Sequence, residues 1–286
     1  MYYKYTKNKY AKKLENTVLL EKLILSLKAK STMGKIVVTH SFRGGTGKSS
    51  IISNVAACLG CRGKRVCIID TDVQSPGVHV FFGLEPKDTK QSLNEYLWGN
   101  CTIEEAAKDV SDSLLGVKEA GGKVFLVPSS IGVNDITKIL KEGYEVSELN
   151  DGFSRAIRSL DLDYLLIDTH PGIGEVSLLS LAISDILLIV MRPDYQDYQG
   201  TSVTLEVCKR LEVPNPILVI NKLLPTYNFK KVANDIEEIY NCDVVAVLPQ
   251  SDDLMRMGSK GVIYTIQRDH PFSKGIDKIA DRIISA

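Results

Sequence analysis

From Lys35 onward the chain repeats one pattern: a short aliphatic run, mostly β-branched, then a longer stretch with apolar positions at helical spacing. The runs are Ile36–Thr39, Arg65–Ile69, Lys123–Val127, Tyr164–Ile167, Ile186–Val190, Ile217–Ile220 and Val244–Leu248. They are nearly continuous apolar runs rather than alternating ones. Such strands are expected to bury both faces, as in a parallel sheet. Helices are predicted over Lys48–Cys61, Ser92–Trp98, Ile103–Asp109, Glu148–Leu160, Val176–Ile183, Gln199–Leu211, Phe229–Tyr240 and Pro271–Ile284. This alternation predicts an α/β fold: a single doubly wound, mostly parallel sheet with helices on both faces.

Composition changes the picture in one place. Hydrophobic residues make up 44% and charged residues 24% of the 286, ordinary for a globular protein, and 35 basic residues balance 35 acidic ones. The balance hides an asymmetry. Residues 1–33 carry eight Lys against two acidic residues, a surplus of six positive charges, and the rest carries the matching deficit. The chain thus divides into a basic N-terminal arm, 1–33, and a mildly acidic domain, 34–286. The apolar run Thr17–Leu27 is interrupted by Glu21 and Lys22 and is too short to span a bilayer, and no secretory signal is evident. Six irregularly spaced Cys suggest reduced thiols in a cytoplasmic protein.

The chemistry is concentrated at Lys35–Ser50, which reads K-I-V-V-T-H-S-F-R-G-G-T-G-K-S-S. An apolar strand enters a glycine-rich turn, and the turn enters a helix. Glycines allow the backbone N–H groups to close around phosphate oxygens. The helix then presents its unpaired N–H groups and positive dipole end to the same anion. Lys48 supplies a cation to the β- and γ-phosphates, and Ser49 a hydroxyl to Mg²⁺. Charge-assisted hydrogen bonds contribute roughly 1.5–3 kcal/mol each. The strict phosphate-loop pattern places Gly where this chain has Phe42. The loop at residues 43–49 is therefore expected to bind a nucleoside triphosphate, ATP with Mg²⁺, through Gly44, Gly45, Thr46, Gly47, Lys48, Ser49 and Ser50.

R-G-G-T-G-K-S resembles the deviant phosphate loop K-G-G-x-G-K-[ST] of the MinD/ParA family of ATPases. Three more segments resemble that family in the same order. Ile68-Ile69-Asp70-Thr71-Asp72 is similar to its hydrophobic D-x-D element, Asp168-Thr169-His170-Pro171-Gly172 to its D-T-P-P-G, and Asn221-Lys222 to its N-[KR]. The resemblance covers residues 34–286. It implies that Asp72 orients the attacking water, that Asp168 holds Mg²⁺ with Ser49, and that Asp70 supports the metal shell. It further implies that Asn221 and Lys222, with Pro249 in a second loop, serve the adenine side. Arg43 stands where the family has a Lys that reaches the partner's phosphates across an ATP-bound dimer. Arg keeps the charge and adds a bidentate fork, and a cis contact to phosphate is its alternative. His170 replaces the family's first Pro, either to touch the γ-phosphate side or to shape a turn.

The implied function is an ATP-binding and hydrolysing switch that forms a homodimer with ATP, is stimulated by an adaptor protein and positions a cargo at the nucleoid or a membrane. A nucleotide-dependent binding module with little hydrolysis is the second reading, and an ATP-dependent amidating synthetase the third. Cys58 and Cys61, one turn apart in a predicted helix, read as core residues rather than ligands of a cluster. The amphipathic Pro271–Ala286 lacks the basic face and bulky anchors of a membrane helix and is expected to lie on the domain. For the basic arm three readings stand open: an anionic membrane surface, nucleic-acid phosphates, or an extension without fixed structure.

Overall fold

The computed structural model describes residues 34–286, so the readings of the basic arm lie outside the described residues. Eight strands form one sheet: β1 Lys35–His40, β2 Arg65–Asp70, β3 Lys108–Asp109, β4 Lys123–Val127, β5 Tyr164–Asp168, β6 Ile186–Met191, β7 Pro216–Leu223 and β8 Val244–Pro249. Their order across the sheet is β3-β4-β2-β5-β1-β6-β7-β8, parallel throughout except for the antiparallel edge strand β3. The helices are α1 Lys48–Gly60, α2 Val78–Phe81, α3 Leu93–Leu97, α4 Ile103–Ala106, α5 Val133–Glu142, α6 Val146–Ser159, α7 Glu175–Ile183, α8 Tyr195–Arg210, α9 Phe229–Tyr240, α10 Asp252–Met257, α11 Ile263–Ile266 and α12 Pro271–Ser285.

The continuous apolar strands bury both faces, as their composition predicts. Val37, Ile68, Leu166 and Leu188 point to one side, into a core with α1, α11 and α12. Their neighbours Val38, Ile69, Ile167 and Leu187 point to the other, into a core reached by α3, α4, α6 and α7. The C-terminal helix lies on the domain as expected: Phe272, Ile276, Ile279, Ala280 and Ile283 are fully buried against α1 and β8.

The sheet fixes where chemistry can occur. β1 is flanked by β5 on one side and β6 on the other, and the chain winds outward from it in both directions. Ligands of open α/β sheets bind at such a switch point, beyond the carboxyl ends of the strands. The register aligns Thr39, Asp168 and Asp70 in one row at that edge.

Several boundaries differ from the sequence expectation. The helix predicted over Ile103–Asp109 ends at Ala106, and Lys108–Asp109 pairs with β4 as the edge strand instead. A capping box, Thr102 with Glu105, starts this short helix, but Ala107 is extended and the Asp109 carboxylate accepts from Ser111 N–H and Oγ, turning the chain. The helix predicted from Gln199 begins at Tyr195, because Asp194 caps it by accepting from the Asp197 N–H at 3.0 Å. α5 falls outside the predicted helices; Val133, Ile136, Ile139 and Leu140 recur at helical spacing, but only Ile139 is buried. Strand β7 runs past Ile220 to Leu223, with a register shift between Ile220 and Leu223 where Lys222 takes φ +60°. All six Cys are free thiols. Cys58 is fully buried, and burial pushes its thiol up to about 12, which fits a core residue.

Candidate nucleotide-binding site

The turn between β1 and α1 has the backbone an anion requires. Gly45 and Gly47 hold φ +78° and +96°, and Gly47 stands at the N-cap of α1. A Cβ on Gly47 would lie 2.4 Å from Asn221 Nδ2, so glycine is required both by the torsion and by the neighbour. No side chain caps α1, and its first turn holds no acidic residue. Its N-terminal N–H groups and dipole are therefore left to a ligand.

The residue that breaks the strict loop pattern is accommodated on α8. Phe42 lies so close to Gly200 that a Cβ there would sit 2.4 Å from its ring. The bulk that replaces a loop glycine is thus met by a glycine on the facing helix.

β7 completes the loop from the side. Asn221 Nδ2 donates to Thr46 O and Lys222 Nζ donates to Gly45 O, both at 2.8 Å. The irregularity in β7 aims both side chains at the turn. The resemblance implied base-side roles for these residues; the structure adds that they brace the loop's carbonyls.

Around the loop the row of charges assembles. Lys48 is almost fully buried, and its Nζ donates to Ser41 Oγ at 3.1 Å. Burial lowers its pKa, while Asp168, Asp72 and Asp70 pull it back up. Ser49 Oγ donates to Asp168 Oδ2 at 2.5 Å. Burial holds the Asp168 carboxyl up at about 6, with Lys48 and the Ser49 hydroxyl opposing that rise. Asp70 is also pushed up by burial and by Asp168. Its oxygens accept from the N–H groups of Asp72, Gly77 and Val78 at 3.1–3.2 Å, so it organises the loop leading into α2. Asp70 thus lies behind the site, bonded to the loop rather than facing the cavity.

Asp72 reaches forward from that loop. Its Oδ1 lies 2.7 Å from His170 Nδ1 and accepts from the Ser75 N–H at 3.1 Å. Arg43 turns away. Its guanidinium lies 3.8 Å from Asp194 and from Asp197 at the start of α8, the pair that Arg192 holds at 3.1–3.2 Å.

Lys48, Ser49, Asp72 and His170 open onto one cavity of about 630 Å³, behind which Asp70 and Asp168 lie. Gly44, Gly45, Gly47, Lys48, Ser49 and Ser50 line it, with Asn221 and Lys222 against the loop carbonyls and Asp72, His170 and Pro249 also in its wall. Arg43 does not line it. An apolar wall that no sequence motif marks also lines it: Leu254, Met255, Met257, Ile263 and Phe272. Its signal was available, because α10 follows the carboxyl end of β8, where such folds bind ligands.

Two buried atoms test the fit of a magnesium nucleotide. Asp168 Oδ1 and Thr46 Oγ1 have no hydrogen-bond partner among the described residues. Both adjoin the phosphate loop, so a cation and a phosphate oxygen would satisfy them. No cluster of three or more His, Cys, Asp or Glu that could hold a metal occurs among the described residues. Mg²⁺ takes one or two protein ligands and completes its shell with phosphate oxygens and water. Ser49 and Asp168 would hold it, and it would supply charge to the phosphates.

A glycine turn, a buried lysine and a serine–aspartate pair at the switch point of a parallel sheet define a phosphate-loop nucleotide-binding protein. Comparison with known proteins sharpens the class. A family model described as an AAA domain matches residues 34–220. An uncharacterized ATP-binding protein of Methanocaldococcus jannaschii is 25% identical over 255 residues, 89% of each chain. The septum site-determining protein MinD of Thermotoga maritima is 24% identical over 264 residues, 88% of each. Among solved structures, MinD from Pyrococcus horikoshii complexed with Mg-ADP superposes with a TM-score of 0.71 at 18% identity, covering 88% of this chain and 96% of that one, and so establishes the fold. The chain belongs to the MinD/ParA family of P-loop ATPases.

Proposed function

We propose that this protein is an ATP-driven switch: Mg-ATP occupies the cavity, two copies close face to face, and hydrolysis at Asp72 releases them. The observation that carries the reading is the division of labour at the phosphate loop. Lys48, Ser49 and Asp72 line the cavity and Asp168 holds Ser49 from behind, while the Arg43 guanidinium, next to the same glycines, lies outside it beside Asp194 and Asp197. A cation beside the loop but outside the cavity suits a role toward a second copy's phosphates, where an arginine is worth about 10³–10⁵ in rate. Mg-ADP in the Pyrococcus relative supports the nucleotide and the cation. The MinC:MinD complex of Aquifex aeolicus supports an adaptor or regulator protein as partner, here one of unknown identity.

In this reading the switch resides in the cytoplasm and positions a cargo on a DNA or membrane surface in its ATP state. No described helix is long and apolar enough to cross a membrane, so that association would be peripheral. The test is the mass in solution of Asp72→Ala with Mg-ATP and with Mg-ADP. A dimer with ATP and a monomer with ADP are expected. A monomer with both, with ATP bound and uncleaved, would replace the switch by a nucleotide-dependent binding module.

A further inference from the structure

His170 stands where the family has a proline that could neither donate nor accept through its side chain. It lies two residues beyond Asp168, the last residue of β5, and Asp72 lies two beyond Asp70, the last of β2. The sheet register pairs Asp70 with Asp168, so the two loops leave the sheet side by side. Thr71 fastens them, its N–H and Oγ both donating to the Asp168 carbonyl at 2.9 and 2.8 Å. The His170 carbonyl accepts from Ser177 Oγ at 3.2 Å, which ties it to α7.

Within that frame His170 Nδ1 lies 2.7 Å from Asp72 Oδ1. A carboxylate only accepts, so the imidazole donates through Nδ1. The Ser75 N–H also donates to Oδ1. Both bonds fall on one oxygen, and Oδ2 has no hydrogen-bond partner among the described residues. A two-point clamp on one oxygen fixes the plane of the carboxylate and keeps the other available on the cavity's border.

We propose that His170 is a positioning residue for hydrolysis: by holding Asp72 Oδ1 it presents Oδ2 to the water that attacks the γ-phosphate. The assignment rests on the reading of Asp72 as the water-orienting carboxylate. His170 acts through Asp72 and takes no proton from the substrate, so its loss lowers kcat and spares ATP binding.

The test compares steady-state ATP turnover of the full chain with His170→Pro, His170→Asn, Asp72→Asn and the double variant Asp72→Asn/His170→Pro. Mg-ADP affinity and the unfolding midpoint verify that each protein folds. His170→Pro is expected to lower kcat about 10-fold, the scale of one charge-assisted hydrogen bond, with KM changed less than about 2-fold. His170→Asn is expected to recover at least about half of the wild-type kcat, because an amide nitrogen can replace Nδ1 as donor. In the Asp72→Asn background His170→Pro should have no further effect. Unchanged kcat in His170→Pro, equal losses in both backgrounds, or failure of Asn to rescue would overturn the positioning role while leaving Asp72 in place. Wild-type turnover in Asp72→Asn would overturn both readings together.

Discussion

Helix α1 runs through two environments, and they solve opposite problems. Its first turn carries Lys48 and Ser49 into the cavity, next to Asp168 Oδ1 and Thr46 Oγ1, buried without a hydrogen-bond partner among the described residues, and to an Asp168 carboxyl held up by burial. Its later turns, from Ile51 to Leu59, are fully buried against the sheet, α11 and α12. The front end tolerates buried polar groups that destabilise the ligand-free protein; the rear supplies the apolar contacts that offset them. Two of the orphaned polar atoms, Asp168 Oδ1 and Thr46 Oγ1, thus lie beside the front end of the helix, where a ligand can relieve them.

The contrast can be broken at either end. The largest effect is expected from Lys48→Ala, which removes the cation at the phosphates. Phosphate release should fall by about 10³-fold, the scale of losing a principal electrostatic contact, with a native unfolding profile. Turnover equal to wild type would remove Lys48 from the chemistry and with it the assignment of the front end.

At the rear, Ile279→Ala opens a cavity in a fully buried contact with α1. It should cost about 2–5 kcal/mol in denaturant unfolding and leave the Mg-ADP Kd of the folded protein within about 2-fold. A matching loss of affinity would show that the two ends are coupled through the helix.

Gly47→Ala tests their junction. The torsion of +96° alone costs an L-residue about 1–2 kcal/mol, and the new Cβ would displace Asn221 from Thr46 O. Nucleotide affinity should drop at least about 10-fold while global stability falls far less than in Ile279→Ala. Equal losses would place the strain in the fold rather than in the loop.

The contrast also carries a pH dependence, which is small near neutrality. His40, at the end of β1, is fully buried; burial, with Lys48 and then His170 adding to it, lowers its pKa to about 3. The folded state keeps the ring neutral, while the unfolded chain takes up a proton below the ordinary value of 6.5. Stability from this residue is complete above pH 6.5 and declines as pH falls toward 3, by up to about 1.4 kcal/mol per pH unit. Asp168 works in the opposite sense between its unfolded value of 3.8 and about 6, since the folded state binds its proton more tightly. The comparison with His40→Asn isolates the histidine, because Asn keeps a donor toward Thr169 Oγ1. Wild type should lose stability faster than the variant between pH 6.5 and 5 in urea unfolding. Parallel curves would show that His40 is protonated in the fold.

The strands and their shared edge were legible because each is a local run of residues with one physical property. The phosphate loop was legible for the same reason: strand, glycines, lysine and serine are contiguous, and contiguity imposes their geometry. Asp70, Asp72 and Asp168 were legible as strand-end residues, since a parallel sheet gathers such ends on one side. Three contacts could not be read that way. Phe42 against Gly200, Asn221 on Thr46 O and Arg43 beside Asp194 and Asp197 join residues more than 140 positions apart. Which residues meet there depends on strand order, on a one-strand irregularity in β7 and on how α8 lies over the loop. The pairing of His170 with Asp72 depends likewise on the register between β2 and β5. Local chemistry named the parts of the site; non-local register decided which oxygen of Asp72 is clamped, which is free, and where Arg43 points.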